Sequence, residues 1–518
     1  MGYIGCMERQ PKLTGAERDF FQLVYQAGVA NPFGREREEI ELKIAGLYPD
    51  ATRVERTAAA TEAVARRIAV LEAENRADES RYEGEDRRLV RAAFLFEFFY
   101  GLRKKFDQLI IDQIQAGETP AKVPFAPEAY RLMARRGFSE ADTRRYFALS
   151  YQLRRAYFFI FRHLVGRSPA MQRLRRQLWE NVFTHNLDVY DRYLWNRMED
   201  FSTLLLGETG TGKGAAAMAI GRSGFIPFNE KKRCFEESFT RSFVSLNLSQ
   251  FPETLIESEL FGHKKGSFTG AVKHYSGVLD RCSPNGAILL DEIGEVPAHI
   301  QIKLLQVLQE RIFTPVGSHE PSRFQGRVIA ATNRPMAELR HRGLFRDDFY
   351  YRLCSDTITV PPLRQRVAED PGELDDLIAF TLERMLSRPS PELAALVRET
   401  AERELGLDYA WPGNVRELEQ CVRRVLLRSS YAGDLPPAAD LERRLAEGIT
   451  QGTITSQDLV AGYCTLLYRR HGTFEEVARR TSLDRRTVKK YIVGLEEGEE
   501  GIEPLGGVPW AAGGSARQ

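Results

Sequence analysis

The feature that most constrains the fold is a glycine-rich stretch, GETGTGKG, at residues 207–214. A short apolar run from Thr203 precedes it, and an alanine-rich run through Ile220 follows it. Glycine reaches backbone conformations that other residues avoid, so such a loop can turn its amide N–H groups toward phosphate oxygens, backed by the positive end of a helix dipole. The order strand, loop, helix favours a phosphate-binding P-loop over a chance match in an ordinary turn.

Every residue of this loop is a candidate contact for nucleotide phosphates, with Lys213 placed to meet the outer oxygens. Gly214 stands where P-loops usually carry a hydroxyl for magnesium, so metal binding has to rely on carboxylates elsewhere. The predicted cofactor-binding residues of the loop are Gly207, Glu208, Thr209, Gly210, Thr211, Gly212, Lys213 and Gly214.

Charge, cysteine spacing and hydrophobic runs limit the partners and the cellular compartment that we expect for the chain. The net charge is +1, so contact with nucleic acid or a membrane has to come from a local patch. The six cysteines show no CxxC spacing, which indicates reduced thiols rather than disulfides or a metal cluster. The first residues, MGYIGCMERQ, contain no apolar core of a signal peptide, and AYFFIF at 156–161 is too short to span a bilayer. We expect a cytoplasmic protein without a membrane segment.

The N-terminal part, residues 1–162, is predicted to be helical. From Leu89 to Ile114, apolar residues recur at steps of three and four, as on one face of a helix. This stripe is more typical of a core or partner-helix surface than of a ligand site. Its position suggests a sensory or regulatory region, although no residue pattern identifies a signal. The stripe consists of Phe94, Phe98, Leu102, Phe106 and Leu109.

From Leu164 the pattern changes to apolar strands that alternate with helices, which predicts a parallel sheet covered on both faces. The predicted strands are residues 203–206, 243–246, 287–290 and 327–331. The third strand leads into Asp291 and Glu292, at the edge where such sheets bind ligands. We expect Asp291 to hold Mg²⁺ and Glu292 to activate the attacking water. The alternative is that the two acids are simply a solvated pair at the end of a strand. The P-loop two strands away makes that alternative less favourable.

Several polar residues follow these strands. Asn333 lies after the fourth strand, where it can touch the terminal phosphate. Arg346 and Arg352 follow in FRDDFYYRL, and either one alone could be a surface ion-pair partner. Arginine is also the residue that stabilises the spread charge of phosphoryl transfer.

The stretch ESELFGHKKGSFTGA at 257–271 has glycines around Phe268 and Thr269. This pattern predicts a mobile loop with an exposed aromatic tip that contacts another protein. The alternative is a plain turn whose phenylalanine folds back into the core.

Seven motifs in order closely resemble those of the AAA+ domain of bacterial sigma-54-dependent transcriptional activators. They are GETGTGKG, ESELFGHKKGSFTGA, LLDEIGEV, RVIAATNRP, FRDDFYYRL, PPLRQR and WPGNVREL. The resemblance covers about Leu164 to Arg428, roughly half of the chain, and the GSFTGA loop is peculiar to that family among P-loop ATPases.

The resemblance implies a ring, expected to be hexameric, in which ATP hydrolysis with Mg²⁺ moves the loop against the sigma-54 RNA polymerase holoenzyme. It implies that Asn247 restrains the catalytic Glu292, that Arg346 and Arg352 reach into the next subunit's site, and that Arg416 is the sensor arginine of the lid. The implied sigma-54 contacts are Gly266, Ser267, Phe268, Thr269, Gly270 and Ala271.

Three departures from the family pattern stand out. Gly214 replaces a usual glutamate, Ser267 replaces a usual alanine, and residues 223–242 form an insertion to which the sequence gives no function. Because of Gly214, an alternative function remains: a DNA-binding regulator that binds ATP as an assembly switch and scarcely hydrolyses it. A general unfoldase is disfavoured by the GSFTGA loop and by the C-terminal region.

That C-terminal region, TFEEVARRTSLDRRTVKKYI at 473–492, reads as helix, turn and helix. Thr473 is positioned to cap the first helix. Basic residues on the second helix are either a solvated face or contacts to double-stranded DNA at upstream activator sites. We favour DNA binding, through Arg485, Arg486, Thr487, Lys489 and Lys490.

The sequence therefore predicts a multidomain protein: a helical N-terminal region, an α/β P-loop AAA+ domain with a parallel sheet and a helical lid, and a C-terminal helix-turn-helix. The expected boundaries are 1–162 for the N-terminal region, 163–364 for the α/β subdomain, 365–430 for the lid, 431–455 for a linker, 456–494 for the helix-turn-helix and 495–518 for a disordered tail.

Overall fold

The computed structural model describes residues 12–433 and 441–499, apart from 443, 444, 447, 451 and 453, and gives only the backbone of 493–499. The chain divides into two compact units, one ending at Tyr431 and the other beginning at Ala432. The N-terminal helices and the predicted ATPase region thus belong to the same unit. The Pro-containing part of the predicted linker, 434–440, and the predicted tail beyond Glu499 lie outside the described residues.

The predicted helical N-terminal region is confirmed. Thr14 and Thr52 begin two of its helices with reciprocal capping bonds to Glu17 and Glu55. The apolar stripe on the fourth helix is buried, as expected of a core face. The helices are α1 (Gly15–Val29), α2 (Arg35–Ala45), α3 (Arg53–Ala73), α4 (Gly84–Ala116), α5 (Ala126–Arg135) and α6 (Glu140–Arg162).

A five-stranded parallel sheet forms the centre of the first unit, in the order β4-β5-β8-β1-β9. Its strands are β1 (Thr203–Leu206), β4 (Phe243–Asn247), β5 (Ala287–Asp291), β8 (Arg327–Thr332) and β9 (Asp356–Thr359). All four predicted strands are present. The fifth, β9, was not predicted because only Ile358 of its residues is buried, so it lacks a continuous apolar run.

The sheet has a separate core on each face, because successive side chains of a strand point to opposite sides. Leu205 packs into one core with the N-terminal helices, whereas Leu204 packs into the other. The first face is also covered by α7 (Pro169–Phe183) and α9 (Lys213–Gly221). The second is covered mainly by α10 (Glu253–Phe261), α12 (Ala298–Glu310), α13 (Met336–His341) and α14 (Asp347–Leu353).

Shorter elements and the lid complete the first unit. The short elements are α8 (Leu187–Val189), α11 (Val278–Arg281), and the antiparallel pair β6 (Ile312–Phe313) and β7 (Ser322–Arg323). The lid consists of α15 (Leu363–Glu369), α16 (Gly372–Leu386), α17 (Pro391–Leu405) and α18 (Asn414–Arg428).

The insertion at 223–242 contains a small hairpin of β2 (Phe228–Asn229) and β3 (Cys234–Phe235). Its aromatic rings pack against α6: the ring centroids of Phe235 and Tyr151 are 4.2 Å apart, and those of Phe228 and Phe147 are 4.8 Å apart. The Val123 amide also donates to the carbonyl of Arg233 at 2.9 Å. The insertion therefore attaches the N-terminal helices to the ATPase region.

Three helices of the second unit are described from end to end, Ser456–His471, Phe474–Thr481 and Arg485–Glu499, and the described residues between 441 and 450, within the predicted linker, are helical too. The three helices enclose a small core of Cys464, Leu467, Val477, Val488 and Ile492. The third helix continues to Glu499, five residues beyond the predicted boundary at 494.

Two sequence-based expectations concern features of the whole chain. The cysteines that the structure describes, Cys234, Cys282, Cys354, Cys421 and Cys464, are all free thiols. Over the described ranges, no helix combines the length and apolar character needed to cross a bilayer.

Candidate nucleotide site and associated surfaces

The P-loop connects β1 to α9 through glycines in conformations that suit no other residue. Gly210 and Gly212 have φ angles of 80° and 105°. A Cβ atom at Gly210 would lie 2.2 Å from the carbonyl oxygen of Gly413 in the lid. The loop can therefore lie this close to the lid only because position 210 is glycine.

Lys213 closes the loop on itself. Its Nζ donates to the carbonyl oxygens of Gly207 at 2.8 Å and Glu208 at 3.1 Å. Burial lowers the pKa of Lys213, against the opposing charges of Glu292 and Asp291. The ammonium group is thus held beside the acid pair, where an added phosphate charge would stabilise its protonated form.

The acid pair lies at the carboxyl end of β5, as predicted. Asp291 ends the strand, and its Oδ1 accepts a hydrogen bond from the Glu292 amide at 3.1 Å. Glu292 has a φ of 56°, a left-handed conformation that is unfavourable for a residue with a side chain. This backbone turn directs the Glu292 carboxylate toward Asn333, whose amide nitrogen lies 3.4 Å from Oε2.

One cavity of about 530 Å³ brings these groups together. Its lining includes the loop residues 209–214, Asp291 at the end of β5 and Glu292 directly after it, Asn247 on β4 and Arg416 on the lid. The structure therefore assembles most of the predicted catalytic and nucleotide-binding residues around a volume within the usual range for ligand pockets.

The two predicted asparagines make different contacts. Asn247 lies opposite Asp291 in the strand register, but its Oδ1 accepts hydrogen bonds from Ser249 rather than contacting Glu292. Asn333 donates from Nδ2 to the Thr209 hydroxyl at 2.8 Å. Asn333 thus links the acid pair to the P-loop. The expected contact by which Asn247 would restrain Glu292 is not made by the described residues in this conformation.

The lid contacts the P-loop through residues at the start of α18. The Val415 amide donates to the Gly210 carbonyl at 3.1 Å, and Asn414 donates to Glu208 Oε2 at 3.2 Å. Arg364 pairs with Glu208 at 2.7 Å and lowers the pKa of that carboxyl. Glu208 therefore connects the loop to the lid, a role that the sequence motif did not reveal.

Apolar residues also line the cavity, among polar ones such as Arg366 and Arg384, and they were not predicted. They are Leu164, Val165, Met171 and Leu174 near α7, and Leu377 and Phe380 on α16. These residues come from two segments that share no motif, and their apolar character alone resembles any core position. Their placement beside a phosphate cradle suits the flat base of a nucleotide.

The predicted arginine fingers do not line this cavity. Arg346 is exposed and binds Asp348 through two hydrogen bonds of 3.0 and 2.7 Å. Arg352 donates to the Leu308 carbonyl at 3.1 and 3.0 Å. Neither side chain lines the nucleotide cavity of its own chain, so any catalytic role would have to be played at another subunit.

The residues around the cavity fit a magnesium ion carried by a nucleotide. Gly214 offers no hydroxyl, and among the described residues no group of three or more His, Cys, Asp and Glu side chains is placed to hold a metal. Mg²⁺ typically needs only one or two carboxylates in addition to phosphates and waters. Asp291 retains one carboxylate oxygen free of the Glu292 amide and can supply that ligand.

The GSFTGA loop is a compact turn closed by a 2.8 Å hydrogen bond from the Gly266 amide to the Ala271 carbonyl. Thr269 is exposed, and the Phe268 ring is 39% exposed although it packs edge-on against His263 at 4.9 Å. The predicted exposure of the aromatic tip is therefore confirmed, whereas the mobility of the loop and its contact with another protein stay predictions. The hydroxyl of Ser267, which departs from the family pattern, is buried and has no partner among the described residues.

In the second unit, the predicted helix, turn and helix are present. Thr473 occupies the N-cap position, but its side chain makes no capping hydrogen bond, so that part of the prediction is wrong. Asp484 instead accepts from the amides of Arg486 and Thr487 at the start of the next helix. The basic side chains of that helix, Arg485, Arg486, Lys489 and Lys490, are exposed, and Thr487 is half-buried.

A parallel sheet with a P-loop and an acid pair at the same edge, together with a helical lid, defines a nucleotide-binding domain of the AAA+ class. The sigma-54 interaction domain family matches residues 182–359, and the AAA+ ATPase lid domain family matches residues 373–457. The chain therefore contains a sigma-54 interaction domain and an AAA+ ATPase lid domain, and the resemblance predicted from its motifs is confirmed.

Relatives agree with this assignment. The Nif-specific regulatory protein of Azotobacter vinelandii is 40% identical over 51% of this chain and 44% of its own length. The DNA-binding transcriptional regulator NtrC of Azospirillum brasilense is 36% identical over 55% of each chain. The anaerobic nitric oxide reductase transcription regulator NorR of Salmonella paratyphi C is 36% identical over 62% of this chain and 57% of its own. The chain thus spans about half the length of the curated relatives it matches.

Proposed function

We propose that this protein is a cytoplasmic sigma-54-dependent transcriptional regulator that hydrolyses ATP to open promoters. The observation that carries this proposal is the single cavity that joins Lys213, Asp291 and Glu292, in a domain that also presents an exposed GSFTGA loop. Nucleotide chemistry and partner contact thus reside in one folded unit.

In this proposal ATP with Mg²⁺ supplies the energy of phosphoryl transfer. The amides of loop 207–214 and Lys213 bind the phosphates, and Asp291 holds the metal ion. Glu292 accepts the proton of the attacking water. Arg346 and Arg352 of a neighbouring subunit stabilise the charge that develops on the transferred group.

Such sharing of a site requires head-to-tail contacts between subunits, which we propose to close into a hexameric ring. A head-to-tail interface places one subunit's arginines against the next subunit's cavity, and it forms a ring when its rotation closes. The exposed position of Arg346, outside its own cavity, supports this arrangement.

We expect Thr269→Ala to keep ATP turnover within about twofold of wild type while open-promoter formation with sigma-54 RNA polymerase is abolished. Thr269 is exposed on the loop tip, so its methyl and hydroxyl groups are available to a partner. It lies outside the P-loop, so ATP turnover should not depend on it. Steady-state phosphate release and a permanganate footprint of the promoter measure the two activities. The exposed Thr314→Ala is the matched control, and normal promoter opening by Thr269→Ala would remove the loop from the interface.

We further propose that the second unit binds upstream activator sites on double-stranded DNA. Its third helix presents Arg485, Arg486, Lys489 and Lys490 to solvent while Val488 and Ile492 anchor it in the core. A rigid basic helix of this kind fits the major groove.

Replacing Lys489 and Lys490 with alanine is expected to weaken DNA binding and reduce its salt dependence. The slope of log K against log salt should fall by about 0.9 for each phosphate that the variant no longer neutralises, because fewer counterions are released. Fluorescence anisotropy at several salt concentrations measures this slope. Arg469→Ala with Arg470→Ala removes the same charge from the exposed end of the first helix as a control, and an unchanged slope in the lysine variant would exclude those lysines from the interface.

A further inference from the structure

A second and larger cavity lies among the N-terminal helices. It has a volume of about 1340 Å³ and is bounded mainly by α1, α2, α3, α4, α6 and α7. Small-molecule sites usually occupy about 300–1,000 Å³, so this space admits a ligand of nucleotide size. It shares only Val165, at its edge, with the cavity beside the P-loop.

The lining of this N-terminal cavity is rich in arginine. Among the described residues that line it, thirteen are arginines and four are acidic. Nine of these arginines are ion-paired, as Arg37 is with Glu41 at 2.7 Å, and several of the carboxylates lie outside the lining. Within the described structure the other four, Arg35, Arg53, Arg103 and Arg175, make no ion pair, so the positive charge that an anion in the cavity would meet lies at these positions.

Two of the arginines that make no ion pair within the described structure donate their hydrogen bonds only to backbone carbonyls. Arg53 donates to the Pro32 carbonyl at 2.8 Å, and Arg175 donates to the carbonyls of Leu164 and Gly166 at 2.6 and 2.5 Å. Arg175 is 8% exposed, and its Nε has no hydrogen-bond partner among the described residues. The charge of Glu373 offsets the burial of Arg175 only in part, since Glu373 also pairs with Arg366, so an anion beside Arg175 would be stabilised.

Flat apolar surfaces lie beside these cations. The rings of Phe33 and Tyr157 stack with their centroids 5.5 Å apart and an interplanar angle of 8°. The Arg53 guanidinium lies 5.6 Å from the first centroid and 5.0 Å from the second. Trp179 packs edge-on against Phe33 at 6.0 Å. Aromatic faces combined with arginines suit a ligand with a flat body and an anionic group.

Helix α6 connects this cavity to the P-loop helix. One face of α6 lines the cavity through Leu149, Leu153 and Tyr157. On another face, Arg155 donates to the carbonyls of Arg222 and Gly224 at 2.8 and 2.6 Å. These carbonyls closely follow α9, so the helix that contacts a ligand also holds the end of the helix that begins at Lys213.

We propose that the N-terminal cavity is an effector site for a flat organic anion, with carboxylate or phosphate groups paired to Arg53 and Arg175, and that its occupancy changes nucleotide affinity through α6. This inference goes beyond the proposed function. Coupling between two sites is reciprocal, so nucleotide binding must alter effector affinity by the same factor.

The full-length protein can be tested with 1-anilinonaphthalene-8-sulfonate, a fluorescent flat anion. Arg53→Gln alone should weaken its binding several-fold, and Arg53→Gln combined with Arg175→Gln about tenfold or more, because a hydrogen bond to a charged group is removed at each position. Arg66→Gln, on an exposed side chain of the same helix as Arg53, is the matched control. Equal affinity in the double variant, at an unchanged unfolding midpoint, would overturn the proposal.

The variant Lys213→Ala distinguishes dye binding in the N-terminal cavity from dye binding at the P-loop. We expect the variant to bind the dye as wild type does, and loss of dye binding would place the anion at the P-loop instead. In the proposed function, ATP turnover depends on Lys213 and the acid pair, not on the N-terminal cavity. If the dye does not bind in the N-terminal cavity, the test of the proposed ATPase activity is therefore unaffected.

Competition with the dye identifies the ligand's charged group. Displacement by benzoate and salicylate indicates a carboxylate, and displacement by guanosine monophosphate indicates a phosphate. Equal displacement by neutral benzamide would overturn the anionic assignment. With the effective competitor bound, calorimetry should show the affinity for a slowly hydrolysed ATP analogue changing about fivefold or more, and this change should vanish in the arginine double variant. An unchanged affinity in wild type would overturn the coupling.

Discussion

Glu292→Gln is expected to lower the rate of ATP hydrolysis by about 10²- to 10⁴-fold, the usual contribution of a positioned general base. Nucleotide affinity should stay close to that of wild type, since Lys213 and the loop amides are unchanged. The glutamine keeps the size of the side chain and the contact to the Asn333 amide, but it cannot take up a proton. Steady-state phosphate release and calorimetric binding measure the two effects.

The exposed Glu310, at the end of α12, offers a matched control. Its glutamine variant makes the same chemical change far from the cavity and should turn over normally. If wild type and Glu292→Gln shared the same negligible rate, the protein would instead be a DNA-binding regulator that uses ATP as an assembly switch. Gly214 is the feature that makes this second outcome worth testing.

Arg346→Ala should have a comparable or larger effect, about a thousandfold loss of turnover, because an arginine supplied by a neighbour stabilises the transferred phosphoryl group. The side chain is exposed and pairs with Asp348 on its own chain, so we expect no change in the unfolding midpoint. Arg342→Ala, another exposed arginine paired with a nearby carboxylate, is the control. Arg352 is less suitable because it also anchors the Leu308 carbonyl.

Mixing inactive subunits tests whether Arg346 acts between subunits. An Arg346→Ala subunit retains Glu292, and a Glu292→Gln neighbour retains Arg346, so some interfaces in a mixed ring would contain both groups. We expect measurable turnover on mixing the two variants. Absence of any recovery, with ring assembly shown by light scattering, would contradict a shared site.

Local motifs were enough to predict the phosphate-binding half of the site. The P-loop and the acid pair each lie within a few consecutive residues next to an apolar strand, so spacing alone locates them. The register of β4, β5, β8 and β1 then brings Asn247, Asp291, Asn333 and Lys213 to one edge of the sheet. This convergence follows from the parallel order of the strands.

The other half of the site could not be predicted in this way. Leu164 and Phe380 are far apart in the chain and look like ordinary core residues. Glu208 sits inside the motif, yet its pairing with Arg364 depends on how the lid folds back. The packing of the insertion on α6 likewise depends on aromatic residues separated by about eighty positions, which carry no local signature of contact.

The N-terminal cavity could not be predicted from the sequence either. The aromatic stripe of α4 was correctly assigned to the core, whereas the arginines that line the cavity are spread over several helices. In the sequence, each resembles a solvated surface residue. Only the packing of the helices turns them toward a common space.

The central claim is that nucleotide chemistry drives the GSFTGA loop against sigma-54, and cross-linking from the loop tip tests it most directly. A photoreactive phenylalanine analogue at position 268 would be irradiated with purified sigma-54, without nucleotide and with an ATP transition-state analogue. We predict a cross-link to sigma-54 that forms with the analogue and disappears when Lys213→Ala prevents nucleotide binding. Failure to form this cross-link in every nucleotide state, from a protein that still hydrolyses ATP, would contradict the account.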